Sequence, residues 1–154
     1  MPPRPHRSFA LSIVTLAVIA SLIGACGSEA GSSINAPTVN DAWARVAASG
    51  GQSAAYFTIA NTTSAADALL SATSPAAAVV EIHETRTDDA GMTGMHPLHQ
   101  VAIPAGESVE FKPGSNHLML AELTGELVVG QMIELSLVFE HGGAVTVMAE
   151  IRQA

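Results

Sequence analysis

Ile133-Glu134-Leu135-Ser136-Leu137-Val138-Phe139-Glu140-His141-Gly142-Gly143-Ala144-Val145-Thr146-Val147-Met148-Ala149-Glu150-Ile151 is the stretch that decides the fold. In its first half Ile133, Leu135, Leu137 and Phe139 alternate with Glu134, Ser136, Val138 and Glu140. In its second half Val145, Val147, Ala149 and Ile151 alternate with Thr146, Met148 and Glu150. A period of two marks a strand with one face on a core. Between the halves, His141-Gly142-Gly143 reads as a hairpin turn, with His141 an exposed turn residue. Met132 and Met148, inside the strand patterns, read as core fillers.

Working outward, further strands are expected near 39–46, 54–61, 67–73, 79–86, 98–103, 107–112 and 117–123. Gly50-Gly51, Pro75, Gly91, Pro104-Ala105-Gly106, Pro113-Gly114 and Gly125 punctuate them. Many short strands at this spacing predict an all-β sandwich or barrel. No internal repeat or sustained helical heptad interrupts the pattern.

The N-terminus reads as an export signal. Arg4 and Arg7 precede an apolar run from Phe9 to Ile23, and small residues follow. A basic start, a short apolar core and a small-residue cut site describe a secretory leader. The run is short for a membrane-spanning helix, which needs about 20 residues. The only cysteine, Cys26, follows Leu22-Ile23-Gly24-Ala25, which resembles a bacterial lipobox. A lone cysteine in an exported protein needs a purpose, and lipidation after cleavage supplies it. The chain therefore divides into a leader at 1–25, a lipidated Cys26 with a small, polar tether through 37, and a domain at 38–154. The mature protein is expected to be lipid-anchored on the outer face of the bacterial cytoplasmic membrane or in the periplasm. Cleavage removes two arginines and no acid, which takes the formal charge from −8 to −10. Such a domain repels phosphate backbones, so nucleic acid is not an expected partner.

Within the domain, His83, Met95, His117 and Met119 offer soft and borderline metal ligands. Thioether sulfur and imidazole together suit copper, Cu(I) above all. His117 and Met119 lie two apart on an expected strand, so both leave one face about 7 Å apart along it. His83 is placed near the end of its strand, and Met95 in a loop leading to the next one. Spacing alone leaves core packing open for Met119. Met92, His96 and His99 are weaker candidates, for a loop or rim position. No Ser, His and Asp grouping is placed as a triad, and Asp88-Asp89 reads as a solvated loop pair, so no enzyme activity is expected.

The spacing resembles that of the periplasmic copper chaperone PCu(A)C family, a cupredoxin-like group. Its pattern is His-Met, ten residues, Met, twenty-one residues, then His-x-Met. Here ten residues separate position 84 from Met95, twenty-one separate Met95 from His117, and Leu118 is the x before Met119. Asp41-Ala42-Trp43-Ala44-Arg45, Ser74-Pro75-Ala76-Ala77, Ile103-Pro104-Ala105-Gly106 and Lys112-Pro113-Gly114 extend the likeness over roughly 38 to 151. Glu84 replaces the first methionine, Asn116 stands where an aromatic residue is usual, and a His/Met-rich tail is missing. The resemblance implies a cupredoxin-like, Greek-key β-sandwich with copper held by His83, Met95, His117 and Met119. The implied partners are the copper-site subunit of cytochrome c oxidase or a thiol-containing copper assembly protein.

Two other readings compete. A blue copper electron carrier needs a cysteine thiolate beside two histidines, and Cys26 lies outside the domain. A metal-free scaffold lipoprotein would show no defined copper stoichiometry. Methionine offers sulfur without an oxidisable thiol and without a proton to lose. The histidines must be neutral to bind, so copper affinity is expected to fall as pH drops through their titration. One ion at an exposed end of the sandwich, released by ligand exchange, is the expected arrangement.

Overall fold

The computed structural model describes residues 36–153. The expected leader, the expected lipidation site Cys26 and all but Ala36 and Pro37 of the expected tether lie outside the described residues. Among those described, every regular element is a strand: β1 Thr38–Arg45, β2 Ser53–Ala60, β3 Asp67–Thr73, β4 Ala77–Thr87, β5 Thr93–Pro97, β6 Val101–Ile103, β7 Ser108–Phe111, β8 Asn116–Leu123, β9 Met132–Phe139 and β10 Gly143–Arg152. No helix among them is long and apolar enough to cross a membrane.

The strands run in the order β5-β4-β8-β2-β1-β10-β9-β3-β6, with β7 pairing β2 beyond the reach of β8. Neighbours along this path are antiparallel except β1 and β10, which are parallel through Trp43–Arg45. Apolar faces from both ends of the path meet in one buried cluster. Ile82, Leu118 and Leu120 come from one end, Leu69, Leu135 and Leu137 from the other, and Phe57 stacks on Phe111 with ring centroids 4.5 Å apart. In β1 the register steps from Asn40 opposite Thr58 to Trp43 opposite Tyr56, so Asp41 and Ala42 face one residue of β2. Asp41 takes the left-handed conformation, φ 53°, that this bulge requires. The extra residue sets Trp43 directly across from Tyr56.

The β9–β10 hairpin follows the expected alternation, with Phe139 paired to Gly143 and Ile133, Leu135, Leu137 and Phe139 all buried. The same alternation corrects the reading of two methionines. Met132 and Met148 share the outer face with Glu134 and Glu150 and are about half exposed, at 49% and 51%. They are not core residues, because strand parity outranks side-chain apolarity in choosing the face.

The turn is tied down by Asp67. Its Oδ1 accepts the backbone N–H of Ala68 and of His141, at 2.7 and 3.0 Å, and its Oδ2 accepts that of Gly142 at 2.9 Å. Gly142 has no room for a side chain, since a Cβ there would stand 2.6 Å from Pro37 Cδ and 3.0 Å from Asp67 Oδ2. Gly142→Ala is therefore expected to destabilise the domain by about 1–3 kcal/mol. A lower urea midpoint with an unchanged m-value would register this, and an unchanged midpoint would refute it.

Two other expectations shift. The segment expected as a strand at 98–103 is strand only from Val101 to Ile103, and the Met95 loop is instead β5, paired with β4 from Thr93 to Pro97. Asp88 closes this hairpin by accepting the N–H groups of Ala90 and Met92 on Oδ1 at 2.9 and 2.8 Å. The β5 side chains are exposed or half-buried, so the strand carries no apolar alternation to announce it.

Candidate metal centre

On β8, Leu118 and Leu120 are fully buried in the core, and alternation sends His117 and Met119 to the opposite face. On β4, Ile82 faces the core and Glu81, His83 and Thr85 take the other side. Register then fixes the neighbours: His83 is opposite His117, Glu81 opposite Met119, and Thr85 opposite Met95 of β5. Ala54 of β2 is opposite Met119 on its other flank. His83 thus lies in the middle of an 11-residue strand, not near its end, because hairpin pairing with β5 prolongs β4.

The imidazoles of His83 and His117 meet edge to face with ring centroids 5.8 Å apart. The row continues across the sheet through Tyr56, 6.4 Å from His117, and Trp43, 4.6 Å from Tyr56. His83 and His117 are 8% and 4% exposed, although they sit on the face turned away from the core. The expected exposed end is corrected accordingly: the imidazoles are buried, and Met95, 63% exposed, is the open part.

Each imidazole has one nitrogen held by an acceptor. His117 Nδ1 lies 3.0 Å from the carbonyl oxygen of Ser115. A carbonyl only accepts, so this nitrogen carries the proton and the neutral ring keeps its lone pair on Nε2. His83 Nε2 lies 3.1 Å from the Glu81 carboxylate, and His83 Nδ1 is buried with no hydrogen-bond partner. A carboxylate or carbonyl behind a ring nitrogen fixes the tautomer and raises the basicity of the other nitrogen, as behind metal-bound histidines. A buried ring nitrogen without a partner is costly unless a ligand occupies it.

Met95, His117 and Met119 line one cavity of about 490 Å³, with Tyr56, Ala54 and Arg45 on its other walls. His83 does not line this cavity and is buried beside His117. Among the described residues no three of His, Cys, Asp and Glu converge as metal ligands. A metal held here therefore needs thioether sulfur, which favours a soft monovalent ion over zinc.

The other sequence candidates fall elsewhere. Glu84 and Asn116 are paired across β4 and β8 on the face opposite the two imidazoles, and Glu84 holds Arg86 at 3.2 Å. These two departures from the family pattern are therefore on the wrong side of the sheet to touch the cavity. His96 is across from Glu84, while Met92 and His99 are exposed and His141 sits in the β9–β10 turn. Sequence reasoning missed Glu81 and Tyr56. Glu81 was accessible to it, since a residue two before His83 on a strand shares its face. Tyr56 was not, since only register puts it beside His117.

Comparison with known proteins agrees with this architecture. A copper-bound PCuAC domain from PmoF2 superposes with a TM-score of 0.63 at 24% identity, covering 75% of this chain and 92% of that one. The Cu(I) form of DR1885 from Deinococcus radiodurans superposes with a TM-score of 0.59 at 28% identity, covering 78% and 82%. The cupredoxin-like β fold implied by the sequence resemblance is therefore the fold observed. "Putative lipoprotein Lxx21020" of Leifsonia xyli subsp. xyli is 34% identical over 114 residues, 74% of this chain and 68% of its own length. "Uncharacterized protein RP573" of Rickettsia prowazekii is 33% identical over 89 residues, 57% of this chain and 49% of its own. The family described as "Putative lipoprotein LpqE-like" matches residues 37–151, and the chain belongs to this LpqE-like lipoprotein family.

Proposed function

We propose that this domain is an extracytoplasmic copper carrier. It holds one Cu(I) with His83 Nδ1, His117 Nε2 and the thioethers of Met119 and Met95, on a protein anchored to the membrane through lipidated Cys26. The observation that carries the reading is the histidine pair. Two buried imidazoles stand side by side, one ring nitrogen of each engaged by an oxygen acceptor and the other nitrogen left for a ligand. The solved Cu(I) form of DR1885 at 28% identity supports copper as the metal.

The geometry suits transfer. The imidazoles are set on adjacent strands backed by the core, whereas Met95 is on a short edge strand and mostly exposed. An incoming ligand would displace Met95 first, and the buried imidazoles would be the last to let go. The recipients we propose are the copper-site subunit of cytochrome c oxidase or a thiol-containing copper assembly protein. Carriage needs no bond-making catalysis, and we propose no enzyme activity.

Anaerobic Cu(I) titration of the exported protein, purified in detergent with Cys26 lipidated, tests this. One equivalent is expected, passing on to an apo oxidase copper-site domain. Cu(I) stoichiometry unchanged when His83, Met95, His117 and Met119 are all alanine would overturn the site. Binding without onward transfer would indicate storage instead of delivery.

A further inference from the structure

Outside the leader the chain carries four basic side chains, Arg45, Arg86, Lys112 and Arg152. Three are neutralised by an acid two residues earlier in the chain: Arg86 by Glu84 at 3.2 Å, Lys112 by Glu110 at 2.6 Å and Arg152 by Glu150 at 2.8 Å. Arg45 breaks the pattern. The residue two before it is Trp43, and among the described residues Arg45 has no ion-pair partner. Arg45 lines the same cavity as Met95, His117 and Met119.

An unneutralised guanidinium does not help a bare cuprous ion, since like charges repel. With 14 acids in the chain, a carboxylate beside Arg45 would have removed that repulsion. The placement is favourable if the metal arrives with an anion. Cu(I) in water is carried by soft ligands, so the incoming species is a complex. A cavity of about 490 Å³ falls within the range of small-ligand sites. A guanidinium presents a planar fork that matches a carboxylate bidentately.

We propose that Arg45 is an anion-recognition residue that seats the carboxylate of a small Cu(I)–thiolate complex in this cavity, with its copper facing His117 and Met119. The proposal rests on the copper reading of the site. Copper stays Cu(I) throughout. The Cu–thiolate bond breaks as bonds to imidazole nitrogen and thioether sulfur form. The released thiolate takes a proton from water, and its carboxylate leaves Arg45.

The test supplies Cu(I) anaerobically to the full lipid-anchored protein as its complex with N-acetylcysteine or with the neutral N-acetylcysteine amide, and compares loading rates. Wild type is expected to load about tenfold faster from the carboxylate donor. Arg45→Gln should bring the ratio close to one. Arg86→Gln makes the same change in net charge away from the cavity and should keep the preference. In wild type, S-methyl-N-acetylcysteine, which has the carboxylate but no thiol, should slow loading from the carboxylate donor, a result independent of how any variant folds. Equal rates from both donors in wild type, or a preference that survives Arg45→Gln, overturn this proposal alone. A preference unaffected by Arg45→Gln together with slower transfer to an apo acceptor protein would reassign Arg45 to docking of a protein carboxylate. No uptake from either donor overturns this proposal and the copper reading together.

Discussion

His117→Ala is expected to weaken Cu(I) binding by on the order of 100-fold or more, measured by competition with a chromophoric Cu(I) chelator. Altering the group that merely orients a metal-bound histidine typically costs about 10- to 100-fold, and removing the ligand itself costs at least as much. Three features single out His117. Its Nδ1 is held by the Ser115 carbonyl, so Nε2 is presented without a tautomer penalty. Its ring is wedged between those of Tyr56 and His83, and Met119 lines the same cavity. Glu81→Gln supplies the comparison. It keeps the shape but replaces the carboxylate behind His83 Nε2 with a neutral amide, and a loss of about tenfold is expected. If His117→Ala lost no more affinity than Glu81→Gln, His117 would be a packing residue and the centre would be misassigned.

Asp67→Ala should lower stability by about 3 kcal/mol and the melting temperature by on the order of 10 °C. The cause is backbone satisfaction. Asp67 is 7% exposed, and its two oxygens take N–H groups from Ala68, His141 and Gly142. Alanine strands three donors at once, two of them in the turn that joins β9 to β10. Asp67→Asn keeps one carbonyl acceptor and is expected to lose about half as much. Thermal unfolding followed by far-ultraviolet circular dichroism gives the answer. A fall of only a degree or two for Asp67→Ala would mean that water replaces the carboxylate at no cost.

These two residues differ in how far the sequence exposes them. His117 is conspicuous, because a histidine and a methionine two apart on a strand share a face. Asp67 opens an ordinary strand, and nothing local links it to a turn 74 residues later. The β9–β10 hairpin is legible because its buried face is continuously apolar. The β5 strand is hidden because it lies at the edge of the sheet with neither face fully covered, so Gly94 and Pro97 look like loop punctuation. Met132 and Met148 mislead in the opposite way: apolar composition points inward while parity points outward.

Local chemistry settles the all-β class, most strand positions, and the identity and spacing of the soft side chains, since alternation and donor type are properties of the chain itself. Tertiary structure decides what those side chains meet. Long-range register sets His83 against His117, brings Tyr56 beside His117, and leaves Arg45 on the cavity wall without an acid. Register is fixed by pairing between segments far apart in the chain and by burial of their apolar faces, and a one-residue slip would send every one of these groups to the other side of the sheet.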